Sequence, residues 1–219
     1  MNLVLRGEMV LALLVGTCPV LTASAALADG DQLSGARSVV MVAHPDMCNE
    51  EGISGLSDAS YSVSWPETSY DGTSVDRHGT LYEINCYAGA YNLVVAYVFA
   101  TGDEDAEDMA LASFASPAFT IEYADGDETD TELKADPVVT GFQADTLLIN
   151  PVFDAETLTI STFEKWLGLG DTYSAGLWSL QDGQFVLKHY EIDPIYEANL
   201  DGQDGDLSAT TFVLYDAER

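Results

Sequence analysis

Carboxylates are the most abundant groups in this sequence that could do chemistry. The chain contains 37 Asp and Glu residues against 7 Lys and Arg, and two short segments, 125–132 and 201–206, are especially rich in them. Closely spaced carboxylate and carbonyl oxygens are the ligands that Ca²⁺ prefers. Neither segment has the Asp-x-Asp-x-Asp-Gly order of an EF-hand loop, so we predict two solvated surface loops and no cofactor, with weak Ca²⁺ binding as the alternative. The candidate ligands are Asp125, Asp127, Asp201, Asp204 and Asp206.

Catalytic patterns are weaker. Ser174 lies in a segment that departs from Gly-x-Ser-x-Gly at its first position, and it precedes a strand, whereas a nucleophile elbow lies between a strand and a helix. The three histidines, His44, His78 and His189, are too scattered to indicate a zinc site. Carboxylate pairs for glycoside hydrolysis cannot be chosen among so many, because their separation is invisible in sequence. No catalytic residue is therefore predicted.

A β-hairpin is the element that organises the apolar residues. Asp182-Gly183 suits a two-residue type I′ turn, since both central positions need a positive φ. Counting outward predicts four facing pairs: Gln181 with Gln184, Leu180 with Phe185, Ser179 with Val186 and Trp178 with Leu187. The alternation places Trp178, Leu180, Phe185 and Leu187 on one face, which is predicted to be core, because a slip of one residue would expose all four.

Three blocks of the sequence resemble one protein family. They are Gly168–Asp171 with Gly176–Trp178 and Asp182–Leu187, then Cys86–Asn92, then Asn150–Asp154 before Leu158-Thr159. Taken in chain order, over about residues 80–200, these blocks resemble the bacterial family catalogued as domain of unknown function 1176. The resemblance implies a cell-envelope protein and brings no assigned activity.

The chain departs from that family pattern at two cysteines. The family carries one just after Gly-Leu-Gly-Asp and another after the second hairpin strand, where this chain has Thr172 and the region of Ile195 and Tyr196. Cysteines in a bridge are useful only as a pair, so their joint absence suggests a disulfide in relatives that ordinary packing replaces here.

Residues 1–28 are predicted to be an export signal. Arg6 precedes a short apolar run, and small residues lead to a predicted cleavage site after Ala28. The run is too short to span a bilayer. Lipoprotein processing at Cys18 is the alternative, although Thr17 stands where Gly or Ala is preferred. The sequence therefore predicts a periplasmic or secreted protein.

Cys48 and Cys86 remain after cleavage. In an exported chain, an even number of cysteines predicts a disulfide. A reactive thiol pair is the less favoured alternative, since neither residue lies in a Cys-x-x-Cys motif or a cationic cluster.

The net charge of −30 excludes some partners. Nucleic acid and anionic membranes would be repelled, since both are bound by Lys and Arg. The simpler explanation of the charge is a solvated acidic coat that maintains solubility. Attraction of a basic envelope protein or of divalent cations is the alternative.

Many short alternating segments between Gly, Asp and Pro predict an all-β fold of antiparallel sheets after the signal helix. Residues 29–219 are predicted to form one β-rich domain, either a sandwich or two small subdomains with a boundary near 124–137. The run 91–100 is apolar on both faces and predicts a central strand covered on both sides. Residues 37–48 fit either a short helix or a strand.

These features predict a non-catalytic binding or structural accessory module of the cell envelope with an acidic surface. The alternatives are an acidic inhibitor or escort of a basic envelope enzyme, and a carboxylate-based hydrolase. A cleft that holds two carboxylates would favour the hydrolase, whereas a flat acidic face would favour the binder.

Overall fold

A computed structural model describes residues 30–49, 52–101, 108–127, 130–167, 172–196 and 211–218. The predicted export signal with Cys18, and the candidate calcium ligands Asp201, Asp204 and Asp206, lie outside the described residues. The elements in chain order are α1 (Gly30–Ala43), β1 (Ala59–Thr68), β2 (Ser74–Ala88), β3 (Leu93–Thr101), β4 (Asp108–Leu111), β5 (Phe114–Tyr123), β6 (Leu133–Asp145), β7 (Leu147–Ile149), β8 (Val152–Asp154), β9 (Thr159–Lys165), β10 (Tyr173–Gln181), β11 (Gln184–Asp193) and β12 (Phe212–Asp216).

The strands form two five-stranded sheets and one ribbon. The first sheet has the order β1-β2-β3-β4, with β7 also paired to β3, and the second has the order β12-β11-β10-β9-β8. Strands β5 and β6 form the two-stranded ribbon. The strand pairs are antiparallel, so the predicted all-β class is confirmed. The predicted subdomain boundary at 124–137 falls where β5 turns into β6, and it stays a prediction.

The main core lies between the two sheets. The first sheet contributes Leu81 and Tyr97, among others, and the second contributes Ile160 and Trp178. Phe114, at the start of the ribbon, is fully buried and packs edge-on against Trp178, with 5.7 Å between ring centroids. The ribbon therefore enters the space between the sheets at one end and helps to fill it.

The β10–β11 hairpin pairs as the sequence predicts. Gln181 faces Gln184, Leu180 faces Phe185, Ser179 faces Val186 and Trp178 faces Leu187. Asp182 and Gly183 have φ angles of 47° and 76°, which a type I′ turn requires. The register shifts between Leu177 and Trp178, and this bulge was not expected from the sequence. The four apolar residues of the hairpin lie in the main core.

Helix α1 covers the other face of the first sheet. Ala36 and Val40, four residues apart on one side of the helix, are fully buried against Ile84 and Ala96 of the sheet. Strand β3 is consequently buried on both faces, as predicted. Residues 37–43, left undecided by the sequence, are helical, because a helix can bury one apolar stripe on the sheet while Val42 remains 85% exposed.

A disulfide and a buried ion pair fasten α1 to the first sheet. Cys48 follows the helix and is bonded to Cys86 of β2, so the predicted disulfide is confirmed. Arg37 of the helix forms an ion pair with Asp58 at 2.6 Å, with both side chains largely buried. Arg37 also donates to the carbonyl of Asn49 at 2.7 Å. The segment between helix and β1 is thereby held at both ends.

Two asparagines join the sheets at one end. The Asn150 amide donates to Asn92 Oδ1 and to the carbonyl of Phe163, both at 2.8 Å, and its Oδ1 accepts from Leu93 N at 2.7 Å. Asn92 bonds both backbone groups of Lys165. These bonds satisfy the backbone N–H and C=O groups of β9 that lie beyond the end of its pairing with β8. We call the two residues the asparagine clamp.

Replacing Asn150 with alanine should lower the free energy of unfolding by about 2 to 3 kcal/mol, because three side-chain hydrogen bonds are lost. Asn150 has a φ of 46°, which alanine also disfavours. Asn150→Gly is the matched control, since it relieves the backbone and deletes the same amide. Urea denaturation of both variants, of Asn92→Ala and of the double variant Asn92→Ala/Asn150→Ala tests the clamp. If the loss of unfolding free energy in the double variant equals the sum of the two single losses, the clamp is contradicted.

Candidate functional site

A polar cleft lies where the ribbon, β7 and the second sheet meet. Its volume is about 230 Å³. We call it the junction cleft. Its lining residues come from β5, β6, β7, β9, β10 and β11, and those used below are Ser116, Gln143, Asp145, Glu164, Ser174, Trp178 and Tyr190. Trp178, the largest fully buried side chain, forms part of the wall, so the cleft lies directly beside the main core.

Two carboxylates enter the cleft from different elements. Asp145 ends the ribbon and accepts a short hydrogen bond from the hydroxyl of Ser116. Glu164 of β9 accepts a hydrogen bond from the Ser174 hydroxyl at 2.9 Å. Both serines are only 4% exposed. Each carboxylate is therefore fixed by a buried hydroxyl on a neighbouring strand, which makes the arrangement rigid.

The register of the second sheet explains why polar groups collect here. Ser174 lies on the same inward face of β10 as Trp178, and it is the direct cross-strand neighbour of Glu164. The inward face is apolar at the pair Trp178 and Ile160. It becomes polar at Thr162, which faces Gly176, and then at the pair Ser174 and Glu164. The cleft is thus the polar end of the face that builds the core.

The pKa of Tyr190, which lines the same cleft, is affected by both carboxylates. Burial raises the pKa of the Tyr190 phenol, a hydrogen bond with Ser174 lowers it, and the charges of Glu164 and Asp145 raise it further. The phenol consequently stays neutral at physiological pH, and it serves the cleft as a hydroxyl.

The described part of the chain supplies no counter-ion to the cleft. Its ion pairs join Arg37 to Asp58, Arg77 to Glu67 and Lys134 to Asp125, and His189 lies 3.0 Å from Glu191. None involves Asp145 or Glu164. The cleft therefore presents two carboxylates whose only polar partners among the described residues are uncharged.

Of the two described candidate calcium ligands, Asp127 bonds backbone groups of its own loop, whereas Asp125 does not. Asp127 accepts from the backbone N–H groups of Thr131 and Glu132 at 2.7 and 2.8 Å, and this geometry closes the turn between β5 and β6. Asp125 is 3.8 Å from the Lys134 ammonium and almost fully exposed. Within the described ranges there is no group of three or more His, Cys, Asp or Glu residues placed to hold a metal ion.

The other residues considered for chemistry are dispersed. His44 bonds Thr146, His189 pairs with Glu191, and His78 is exposed in β2. Ser174 lies within a strand, so it has no elbow geometry. The sequence did not single out Asp145 or Glu164, although extending the hairpin register to Ser174 would have shown a polar residue on the inward face.

Two larger depressions flank the hairpin turn, with volumes of about 640 and 580 Å³. The first is lined mainly by small and apolar residues, and the second contains the Arg77–Glu67 ion pair. Both border Thr101, after which residues 102–107 lie outside the described residues. Neither brings together buried polar groups as the junction cleft does.

A further carboxylate, Glu83, lies outside the cleft and is half-buried in the first sheet. It accepts hydrogen bonds from Tyr97 at 3.1 Å and from Tyr61 at 3.4 Å. Burial raises the pKa of Glu83, the two tyrosine hydrogen bonds lower it, and Asp58 raises it, so that the net pKa lies above the usual value. The phenol groups of Tyr61 and Tyr97 hold the Glu83 carboxylate in place, and we assign this cluster a role in packing.

The raised pKa of Glu83 predicts a pH-dependent stability. A carboxyl whose folded-state pKa is raised stabilises the fold below its unfolded pKa, and this contribution is lost as the pH rises through the folded pKa. Glu83→Gln should therefore gain stability relative to wild type as pH rises from 4 to 7. Thermal melts across this range test it, with exposed Glu156→Gln as the control. A constant difference between Glu83→Gln and wild type would contradict it.

None of the described helices is long and apolar enough to cross a membrane.

No curated protein and no solved structure matches the chain. A family model described as a protein of unknown function, DUF1176, matches residues 32–204. The blocks that carry this likeness build the framework: the disulfide at Cys86, the asparagine clamp and the hairpin. The match covers most of the chain, so the protein belongs to the DUF1176 family.

Proposed function

We propose that the protein is an exported, non-catalytic binding module and that the junction cleft is its ligand site. The observation that carries the proposal is the convergence of two carboxylates and two buried serine hydroxyls on one cavity beside the core. Ligand sites are concave and contain a few well-placed polar groups on a rigid frame. The cleft has these properties, and the asparagine clamp and the disulfide serve to keep the frame rigid.

Binding fits the cleft better than hydrolysis does. Ser174 donates to Glu164 and has no imidazole beside it among the described residues, so nothing there activates a nucleophile. Ser116 and Ser174 hold the two carboxylates in place, and such fixed acceptors suit recognition. A carboxylate-based hydrolase is nevertheless the alternative that two carboxylates in one cleft favour.

Export is supported by the predicted signal and by the disulfide between Cys48 and Cys86, since disulfides persist in oxidising compartments. The mature chain should begin at Asp29 and move to the periplasm or beyond. Intact-mass measurement of the exported protein tests both features. A chain that keeps residues 1–28, or a lipid on Cys18, would contradict this part of the proposal.

A basic envelope protein is the partner that the charge supports. Two of the chain's few cations, Arg37 and Arg77, are neutralised internally by Asp58 and Glu67, so the net charge of −30 is left on the remainder of the protein. Such a field accelerates association with a basic surface, and salt screens it. An inhibitor or escort of a basic enzyme is one form of this module.

The ligand site can be tested without knowing the ligand. Neutral sugars, small carboxylic acids and small amines should be added singly to the purified protein at constant ionic strength, and binding followed by calorimetry. We expect one class to bind saturably and to be recovered unchanged. Conversion of any compound, at a rate that Glu164→Gln abolishes, would establish the hydrolase. If no class of compound binds, the proposal that the junction cleft is a ligand site is refuted.

A further inference from the structure

We propose that the junction cleft binds a single organic cation, an alkylammonium or guanidinium group. This inference rests on the proposed function, because it names the ligand class of the same cleft. Its first support is charge: Asp145 and Glu164 lie there with no cationic partner among the described residues. Partly buried carboxylates without a counter-ion are costly, and a cationic ligand would remove that cost.

Hydrogen-bonding capacity gives the second support. Ser174 donates to Oε2 of Glu164, and no bond within the described residues reaches Oε1 of the same carboxylate. Asp145 Oδ1 has only a weak contact with Gln143 at 3.5 Å. An ionised carboxylate accepts up to about four hydrogen bonds, so the cleft has acceptors in excess. Ammonium and guanidinium groups are donors without acceptors, and therefore complement it.

Size and shape give the third support. Drug-sized ligands need about 300 Å³ or more, whereas the cleft offers about 230 Å³. It can admit one cationic head group with a short stem. Leu147, Leu148 and Ile149 form an apolar part of the wall, and the alkyl stem of an amine or of an arginine side chain packs well against such a surface.

The cation can come from a free small molecule or from the side chain of a basic protein, and the test separates the two. Butylamine and ethylguanidine serve as free probes, and a blocked tripeptide, Gly-Arg-Gly, serves as the side-chain probe. Each is titrated by calorimetry into wild type and into the cleft variant Asp145→Asn/Glu164→Gln, at constant ionic strength. The matched control is Glu122→Gln/Asp136→Asn, which removes the same charge from exposed positions of the ribbon.

We expect one-site binding to wild type and to the control within about twofold, and a loss of about tenfold or more in the cleft variant, since charge-assisted hydrogen bonds are removed. Melting curves establish that each variant is folded, and Glu164→Gln alone replaces the double variant if that one does not fold. Preference for the free probes indicates a small-molecule ligand, whereas preference for the tripeptide indicates a basic protein.

Two results would overturn the inference in distinguishable ways. Equal loss of cation binding in the cleft variant and the control would assign it to the general acidic surface. Binding of a neutral sugar in the cleft, with no binding of either cation, would leave the proposed function standing and refute the ligand class. If no compound of any class binds to wild type, the proposed function and this inference fail together.

Discussion

Replacing Trp178 with alanine is expected to lower the free energy of unfolding by about 3 to 5 kcal/mol, the usual range for removing a buried tryptophan. Trp178 is 2% exposed, packs edge-on against Phe114 and Tyr190, and donates from Nε1 to the carbonyl of Ala115 at 2.8 Å. The substitution therefore opens a cavity and leaves a backbone acceptor unpaired.

Trp178→Phe separates these two effects. It keeps one aromatic ring in the core and deletes the indole N–H together with the smaller ring, so its cost should be about 1 to 3 kcal/mol. Chemical denaturation followed by circular dichroism measures both variants. A cost below about 1 kcal/mol for Trp178→Ala would contradict the placement of this residue at the centre of the core.

Removing the disulfide is expected to have the second-largest effect. Cys48 and Cys86 are 38 residues apart in sequence, and the loop-entropy treatment gives a stabilisation of about 4 kcal/mol for a loop of this length. The double variant Cys48→Ala/Cys86→Ala should therefore unfold at a lower urea concentration. Because the ion pair of Arg37 and Asp58 fastens the same helix, the variant is expected to remain folded in the absence of urea.

Reducing agent is the matched control for this prediction. It should destabilise wild type to the level of the double variant and leave that variant unchanged. Unfolding midpoints that coincide in wild type, reduced wild type and the double variant would show that the bridge adds nothing. Intact mass of the exported protein should also be lower by two hydrogens than that of its reduced form.

Elements defined by local pattern could be predicted from the sequence. The dipeptide Asp182-Gly183 and the alternation around it determine the turn, the register and the buried face together, and the observed pairs agree. Helix α1 could not be assigned, because the run around Val40 is apolar enough for a strand, and only its packing on the first sheet decides the matter.

The junction cleft could not be predicted because it depends on long-range assembly. Asp145 and Glu164 belong to strands that do not pair with each other, and they line one cleft only because the ribbon packs beside the second sheet. With 37 acidic residues in the chain, no local feature distinguished these two. The family likeness could not identify them either, since the residues that carry it form the disulfide, the clamp and the hairpin.

The most direct test of the binding module is to locate its ligand on the structure. Isotope-labelled protein should be titrated with ethylguanidine, and the backbone amide shifts followed by NMR. The account predicts saturable shifts at Ser116, Asp145, Glu164 and Ser174, with none of them in the Asp145→Asn/Glu164→Gln variant. Shifts spread over the exposed acidic residues, with those four amides unmoved, would contradict it.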